Sequence, residues 1–198
     1  MKLVPSTDPI LFKELNDVNL EDPGFDPKEL KEQMAELMVS KRGLGLSACQ
    51  VGLDHKVFII GENTENVMMF INPTVVSVSE ETELDVEGCL SYPDMFVKLA
   101  RPSEVQATWY DEELKEQSGT FTGYTARCFL HEFDHLYGVV YKDKVSRLKW
   151  DRALKKKGKV EKQRRQLMQY LRNMEEYQKQ RTLDPAEESE RLANEAKE

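Results

Sequence analysis

The stretch that decides the fold is His131-Glu132-Phe133-Asp134-His135. On an α-helix, two histidines four residues apart project from the same face, so both imidazoles can reach one metal ion. The glutamate beside the first histidine is placed to take a proton from a metal-bound water. The chain has three histidines, and two of them lie in this stretch. The pattern predicts a metal site on a helix, and a tetrahedral site needs a third protein ligand and an open position.

Composition narrows the class of protein. The chain has 198 residues, 39% of them hydrophobic, which suits one globular domain with an appendage. The net charge of −8 argues against a general nucleic-acid binder. The charge is uneven, because residues 142–181 hold 15 Lys or Arg against 5 Asp or Glu, a balance of +10, and the remainder carries −18. An anionic partner would bind at the basic segment.

The spacing of the cysteines and the length of the apolar runs indicate the cellular compartment of the protein. Cys49, Cys89 and Cys128 are an odd number at wide spacing, which is not a disulfide framework. We expect no secretory leader, and no membrane span because no apolar run approaches the roughly 20 residues that a bilayer requires. We therefore expect a cytoplasmic protein, where cysteines serve metals or packing more often than bridges.

The spacing of apolar residues predicts an α+β fold. A helix capped by Asp26 is expected from Pro27 to about Lys41. The helix that carries both histidines is expected over residues 123–137 and ends at a glycine. Antiparallel or mixed β-sheets are expected to pack around this central helix, with an N-terminal helix and a C-terminal helical extension. Strands are expected at residues 56–60, 67–71, 74–79, 105–110 and 119–122, with another short strand at 139–141.

The end of the chain differs in character from the rest. Residues 148–183 predict a basic amphipathic helical extension, with Gly158 as a candidate break. Residues 184–198 are acidic and poor in large apolar side chains, which predicts a disordered tail. The body that precedes both segments is residues 1–147.

Two further stretches are distinctive, Gly43-Leu-Gly-Leu-Ser-Ala-Cys-Gln50 and Glu87-Gly-Cys-Leu-Ser91. With the histidine stretch, they resemble the three signature motifs of peptide deformylases, in the same order and at similar spacing. The resemblance covers roughly residues 8–150 and makes residues 1–147 a deformylase-like catalytic domain. It also makes Cys89 the third metal ligand, beside His131 and His135. A thiolate with two neutral imidazoles leaves the fourth tetrahedral position open, as catalytic sites require.

The resemblance implies a reaction, the hydrolysis of the formyl group from the N-terminal formylmethionine of new polypeptides, with release of formate. Metal-bound water attacks the formyl carbonyl while Glu132 acts as general base and then as general acid. The family pattern gives stabilisation of the negative oxygen to the side-chain amide of Gln50 and the backbone N–H of Leu90. Such an enzyme is a hydrolase of protein biosynthesis, acting co-translationally in N-terminal methionine processing on N-formylmethionyl peptides.

The metal and the substrate pocket follow from the same resemblance. A soft thiolate suits iron(II) or zinc better than magnesium or calcium. We expect one divalent ion per chain, Fe2+ natively, with Zn2+, Ni2+ or Co2+ as other ions in purified protein. Gly45 is expected to hydrogen-bond the peptide main chain, since glycine allows close approach. The pocket for the methionine side chain is expected to be lined by Leu44, Val86, Tyr124 and Cys128.

Two acidic residues near the motifs have expected supporting roles. The resemblance gives Glu87 a structural role in holding the metal loop, through a pair with Arg101. Asp134 is expected at the helix surface or as an acid that orients a ligand histidine.

Three residues depart from the commonest family pattern. Ser47 replaces alanine, Leu130 replaces the glutamine that usually precedes the first histidine, and Phe96 replaces an arginine of some bacterial members. None of the three is expected to touch a ligand, the base or an oxyanion donor. We expect them to change pocket shape and peptide preference.

The C-terminal segment has two open interpretations. In bacterial members of the family, a helix after the catalytic core docks on the ribosome, and the segment from Leu148 has the positive charge to meet rRNA. Alternatively, it is a solvated amphipathic helix whose apolar residues pack on the body. In both cases a monomer without membrane attachment is expected.

Two other functions compete with deformylation. A zinc-dependent endopeptidase also carries this histidine motif, but its third ligand would have to follow His135, where no histidine exists. A non-catalytic ribosome-associated or metal-storing protein could keep the same fold. It would require neither Glu132 nor Gln50, and both are present.

Overall fold

The structure, a computed structural model, describes the main chain of residues 1–182 and the side chains of residues 1–179. The acidic tail predicted at 184–198 lies outside the described residues. The chain divides into two units, Met1–Ala153 and the part that begins at Leu154.

The N-terminal helix forms as its sequence predicts. Helix α1 spans Pro27–Ser40, and the Asp26 carboxylate accepts hydrogen bonds from the main-chain N–H groups of Lys28 and Glu29. This cap satisfies donors that the first turn cannot pair, while the proline at the first position loses no helical hydrogen bond. One face of the helix is buried against the sheet through Leu30, Met34, Ala35 and Met38.

Two antiparallel β-sheets make up the rest of the body. The strands are β1 (Gly45–Ser47), β2 (Val57–Gly61), β3 (Val67–Val78), β4 (Thr82–Cys89), β5 (Tyr92–Pro102), β6 (Glu104–Tyr110) and β7 (Glu116–Thr122). Five of them form one sheet in the order β1-β2-β3-β6-β7. The other two, β4 and β5, form a separate hairpin whose connection is only Leu90–Ser91. Strand β1 is therefore an edge strand of the large sheet.

Helix α2, the motif helix, spans Gly123–Leu136 and packs on both sheets, against β1, β2, β6 and β7 of the large sheet and against β5. It buries apolar Phe129 together with polar His131, Glu132 and His135. The chain leaves the helix at Gly138, where φ is +68° and an added Cβ would lie 2.6 Å from the main chain of Lys13. The predicted α+β fold around a central motif helix is confirmed.

Two local predictions were wrong, and one pair of strands was missed. The expected break at Asn72-Pro73 is instead a register shift inside one long strand, β3, where Asn72 adopts φ +48°. Residues 139–141 form no strand, because the chain turns into a short 3-10 helix at Tyr141–Lys144 that buries the tyrosine ring. The β4–β5 hairpin was missed, although Leu84 and Val86 alternate with acidic residues, because this alternation runs opposite to burial: both apolar side chains are exposed and Glu87 is buried.

The expected C-terminal helical extension is present. Helix α3 spans Arg147–Thr182 and runs through Gly158 without a break. Its first turns add Trp150 and Ala153 to a small core around Tyr141. From Leu154 to Lys179 the described side chains are almost all exposed. Within residues 1–182, no helix has the length and apolar character to cross a bilayer.

Candidate metal centre

Three metal-ligating side chains converge at the junction of β4 and α2. Cys89 ends β4, while His131 and His135 lie one turn apart on α2. Their ligand atoms all lie within 4.8 Å of one another, and Cys89 Sγ is 3.3 Å from His135 Nε2. Around a tetrahedral ion with metal–sulfur bonds of about 2.3 Å and metal–nitrogen bonds of about 2.0–2.1 Å, a sulfur and a nitrogen donor lie about 3.6 Å apart, close to the Cys89–His135 separation. This donor set can bind one metal ion and leave one position open.

The hairpin brings the thiol to the helix by breaking its own register. The ladder between β4 and β5 shifts between Gly88 and Cys89, so Cys89 pairs with Tyr92 in a tight connection. At Gly88 an added Cβ would lie 2.8 Å from the Phe96 ring, so a larger residue would have to displace that ring. The shift directs the thiol out of the ladder and toward the histidines.

Glu87 orients the first histidine ligand. The Nδ1–H of His131 donates to Glu87 Oε1 at 2.6 Å, which leaves Nε2 to face the other ligand atoms. Arg101 donates to the same carboxylate through Nε at 3.0 Å and Nη2 at 2.6 Å. Burial alone would raise the pKa of Glu87, but the hydrogen bonds from His131 and Arg101 outweigh it and lower the pKa to about 2. The Glu87–Arg101 pair anticipated from the sequence is present.

Asp134 does not orient a ligand histidine. Its carboxylate accepts from Arg101 Nη1 at 2.6 Å and pairs with Lys144 at 2.8 Å, and neither contact involves a ligand histidine. The acid that orients His131 is Glu87. Asp134, three positions after His131 on the helix, bonds Arg101 instead.

The neighbouring charges favour a thiolate ligand. Burial by itself would raise the pKa of Cys89, but His135 and His131 outweigh that effect and lower the pKa well below its ordinary value. A thiolate is the form of cysteine that binds metals.

Glu132 also lies at this metal centre, and its carboxylate is buried. Burial raises its pKa above the ordinary value, although the two imidazoles act in the opposite direction. Glu132 Oε2 accepts a hydrogen bond of 2.6 Å from the Ser47 hydroxyl. The expectation that Ser47 would not touch the base was therefore wrong. Ser47 and Glu132 are 85 positions apart in the sequence, but the fold places the end of β1 against α2.

The Gln50 amide is held in one orientation beside the thiol. Its Oε1 accepts from the main-chain N–H of Ser47 at 2.9 Å. Its Nε2 then points at the hairpin connection and donates to Ser91 Oγ at 3.0 Å and to Cys89 Sγ at 3.4 Å. This orientation directs an N–H donor of Gln50 toward the ligand thiol of Cys89.

Comparison with known proteins places this arrangement in a family. The family model described as polypeptide deformylase matches residues 1–151 of the chain. The chain belongs to the polypeptide deformylase family. The matched region contains the body, both sheets and all three signature stretches.

Individual deformylases support the assignment. A peptide deformylase of Rhizobium meliloti is 36% identical over 166 residues, covering 82% of this chain and 94% of the relative. The peptide deformylase structure from Plasmodium falciparum has a TM-score of 0.72 at 32% identity and covers 82% of this chain and 96% of its own. A Synechococcus elongatus peptide deformylase, solved in complex with actinonin, has a TM-score of 0.72 at 33% identity, with 80% and 86% coverage.

A cavity of about 600 Å³ opens beside the deformylase-family motifs. Gly45, Leu90 and Cys128 line it together with His131 and Glu132. Leu44 and Tyr124 also line it but are largely exposed, so they lie at its mouth. Four of the five residues expected to bind the substrate therefore line this cavity.

Val86 is the exception among the expected pocket residues. It is not among the described residues that line the cavity, and 41% of its surface is exposed. Neighbouring residues on a strand face opposite sides, so the burial of Glu87 turns Val86 outward on β4.

Sequence reasoning missed Arg127, a buried residue one helical turn before His131. Its guanidinium donates to the carbonyl oxygens of Leu99 at 2.9 Å and Glu83 at 2.7 Å, and lies 3.4 Å from Glu87 Oε2. It therefore ties α2 to both strands of the hairpin. The available signal was an arginine on the helix face that also carries the histidines.

Proposed function

We propose that this chain removes the formyl group from the N-terminal formylmethionine of nascent polypeptides and releases formate. One observation carries the proposal: a buried carboxylate, Glu132, and an oriented amide donor, Gln50, meet at the Cys–His–His donor set. A site for metal storage or structure alone would need neither group. Family membership favours deformylation over an endopeptidase reaction.

The chain's own residues divide the work of hydrolysis. Glu132 takes the proton of the water that attacks the formyl carbon, and it later gives a proton to the departing amine nitrogen. The Nε2–H of Gln50 and the N–H of Leu90 stabilise the negative charge that develops on the formyl oxygen. Burial of Glu132 beside the two histidines keeps bulk water from competing for these hydrogen bonds.

We propose Cys89, His131 and His135 as ligands of one divalent ion, with iron(II) as the native ion and zinc, nickel or cobalt as substitutes. The thiolate and imidazole donors favour these metals over magnesium or calcium. When bound, the ion acts as a Lewis acid toward water and the formyl oxygen. Glu87 supports the site by fixing the tautomer of His131.

The substrate is proposed to bind along the edge strand β1. Gly45 offers main-chain groups there without a side chain, so an extended peptide can pair with it closely. The methionine side chain then enters the cavity near Cys128 and Leu90, with Leu44 and Tyr124 at the mouth. Val86 contributes to the outer face of the hairpin instead.

The proposal is tested by formate release from a formyl-Met peptide, using protein purified without oxygen in the presence of iron(II). We expect wild-type protein to release formate, with mass spectrometry showing loss of the formyl group and an intact peptide chain. We expect Glu132→Ala to lower kcat by about a thousandfold with its metal content unchanged, because the proton acceptor is lost.

A matched control is Glu36→Ala, which removes an exposed acid of α1 and should leave kcat unchanged. Absence of formate with wild-type protein, or full activity of Glu132→Ala, would overturn the proposal. Cleavage inside the peptide chain would favour the endopeptidase alternative.

We further propose that α3 binds ribosomal RNA and that the enzyme works as a monomer in the cytoplasm. The basic residues of α3 between Lys155 and Arg165 are exposed or half-buried and can meet phosphate groups. The free thiols of Cys49, Cys89 and Cys128 agree with a reducing compartment.

A further inference from the structure

Ser47 is fully buried at the end of β1, and its hydroxyl has two acceptors on the same glutamate. The Oγ lies 2.6 Å from Glu132 Oε2 and 3.1 Å from the main-chain oxygen of Glu132. A serine hydroxyl carries one hydrogen, so it donates to one of the two acceptors at a time. The shorter contact, to a carboxylate oxygen, is the stronger one because hydrogen bonds to charged groups are stronger than neutral ones.

This contact makes the two oxygens of the Glu132 carboxylate unequal. Oε2 is held by Ser47, whereas Oε1 lies next to Gly45, where an added Cβ would fall 2.8 Å from Glu132 Cγ. The peptide main chain is proposed to pass along Gly45. On this proposed path, Oε1 is the oxygen nearer to the peptide, and Oε2 is the oxygen that anchors the side chain.

We propose that Ser47 is a positioning residue for the general base: its hydroxyl holds Oε2 so that Oε1 stays directed at the reacting proton. The inference rests on the proposed function and extends it to a residue outside the metal ligands and the oxyanion donors. A carboxylate without this anchor can rotate about its terminal bond, so it spends less time in the reactive orientation.

The second acceptor keeps the anchor usable through the whole reaction. The attacking water gives a proton to Oε1 as its oxygen bonds to the formyl carbon, and that proton passes to the amine nitrogen as the carbon–nitrogen bond breaks. While Glu132 is neutral, the Ser47 hydroxyl can still donate to Oε2 or turn to the Glu132 main-chain oxygen 3.1 Å away. No step leaves the buried hydroxyl without an acceptor.

Ser47 also reaches the oxyanion side of the site, but through a different group. Its main-chain N–H donates to Gln50 Oε1 at 2.9 Å. Replacing the side chain leaves this N–H in place, so Ser47→Ala removes the anchor of the base without removing the anchor of Gln50.

The experiment compares wild type, Ser47→Ala and Ser47→Thr in the formate-release assay, each with kcat, KM, metal content and inhibition by the deformylated product peptide. We expect Ser47→Ala to lower kcat about tenfold, with KM and product inhibition changed by less than about twofold and the metal retained. We expect Ser47→Thr, which keeps a hydroxyl, to recover most of the lost kcat. Ser79→Ala, which removes a distant hydroxyl, should behave as wild type.

Each outcome decides one question. Wild-type protein that releases formate while Ser47→Ala keeps kcat within about twofold overturns the positioning role alone. A loss of kcat that comes with loss of metal or an equal rise in KM also overturns it, because a merely structural role produces that result. Wild-type protein that releases no formate overturns the proposed function itself. If Ser47→Thr fails to fold because the site lacks room for a methyl group, Ser47→Ala decides the question.

Discussion

Glu87 is the residue on which most of the site's supporting contacts meet. Its carboxylate accepts from His131, from Arg101 and, at 3.4 Å, from Arg127. These partners come from α2 and from β5, so one buried charge links the helix to the hairpin. A buried carboxylate with cationic partners is stable only as a set, and removing one member leaves the others uncompensated.

Glu87→Gln is expected to change stability in a pH-dependent way. Because the pKa of Glu87 falls from 4.5 in the unfolded chain to about 2 in the folded chain, its contribution is complete above about pH 4.5 and is lost as pH falls toward 2. The contribution at neutral pH is about 3 kcal/mol. Urea unfolding of the metal-free protein should therefore show a deficit for Glu87→Gln at pH 7 that shrinks below pH 4.5.

The matched control for that series is Glu36→Gln, an exposed acid that should show no such pH dependence. A deficit for Glu87→Gln of the same size at pH 7 and pH 3 would contradict the prediction. It would indicate that shape and packing dominate, rather than charge.

Motif residues could be predicted from the sequence because their types and spacing suffice to name a metal site. The partners of Ser47, Arg127 and Asp134 could not, since each contacts a group far away along the chain. Ser47 meets Glu132 across 85 positions, and Arg127 meets the carbonyl of Glu83 across 44. Such contacts depend on how strands and helix pack, which residue patterns do not specify.

At the scale of elements, β1 is the short strand that packs against the proposed base, Glu132. It has three residues and pairs with β2 on one side only. One face of β1 approaches α2 so closely that Gly45 has no room for a side chain next to Glu132. The glycine thus serves both the packing of the helix and the proposed approach of the peptide.

Gly45→Ala is expected to lower kcat/KM by about a hundredfold, because the new methyl group displaces Glu132 from its position over the cavity. The free energy of unfolding should fall by about 1–3 kcal/mol, the range for overpacking. Formate-release kinetics and urea unfolding measure the two effects.

Gly158→Ala provides the matched control for Gly45→Ala. An added Cβ at Gly158 on helix α3 meets no atom within 4 Å, so activity should stay unchanged and the helix should gain about 0.5–1 kcal/mol. Activity of Gly45→Ala equal to that of Gly158→Ala would show that Glu132 accommodates the methyl group.

The helices and the large sheet were the most predictable elements, since a capping aspartate, a terminal glycine and apolar periodicity mark them. The hairpin was not, because β4 exposes its alternating apolar residues, Leu84 and Val86, and buries an acid, Glu87. The long strand β3 was divided wrongly, since Asn72-Pro73 normally ends a strand. Here Asn72 takes a left-handed conformation and its side chain hydrogen-bonds the main chain of Val18. The strand therefore continues past Asn72 with a shift in its register.

At the scale of the whole molecule, the two units have opposite charge character. The body carries the acidic excess, and the helical unit that begins at Leu154 carries a run of lysines and arginines. Trp150 packs against Tyr141 within the unit Met1–Ala153, so a boundary after Ala153 preserves that core.

A chain ending at Ala153 is expected to deformylate a short peptide with unchanged kcat/KM and to lose its binding to ribosomes. Phosphate contacts by the removed lysines and arginines should make binding of the full chain fall steeply with salt. Cosedimentation with ribosomes over a range of salt concentrations measures this. Full-length protein with Lys155, Lys156 and Lys157 changed to glutamate keeps the helix and serves as the matched variant. Equal pelleting of all three proteins would contradict ribosome binding.

The three segments that build the site lie far apart along the chain: β1 with Gln50, the end of β4, and α2. None of them holds a complete set of reacting groups, and the base is tied to β1 across 85 positions. Contacts over such separations form only when the chain has closed its long loops, which is the slow part of folding. We therefore expect a fragment of the body that lacks any one of these three segments to be inactive, even if it keeps the other two.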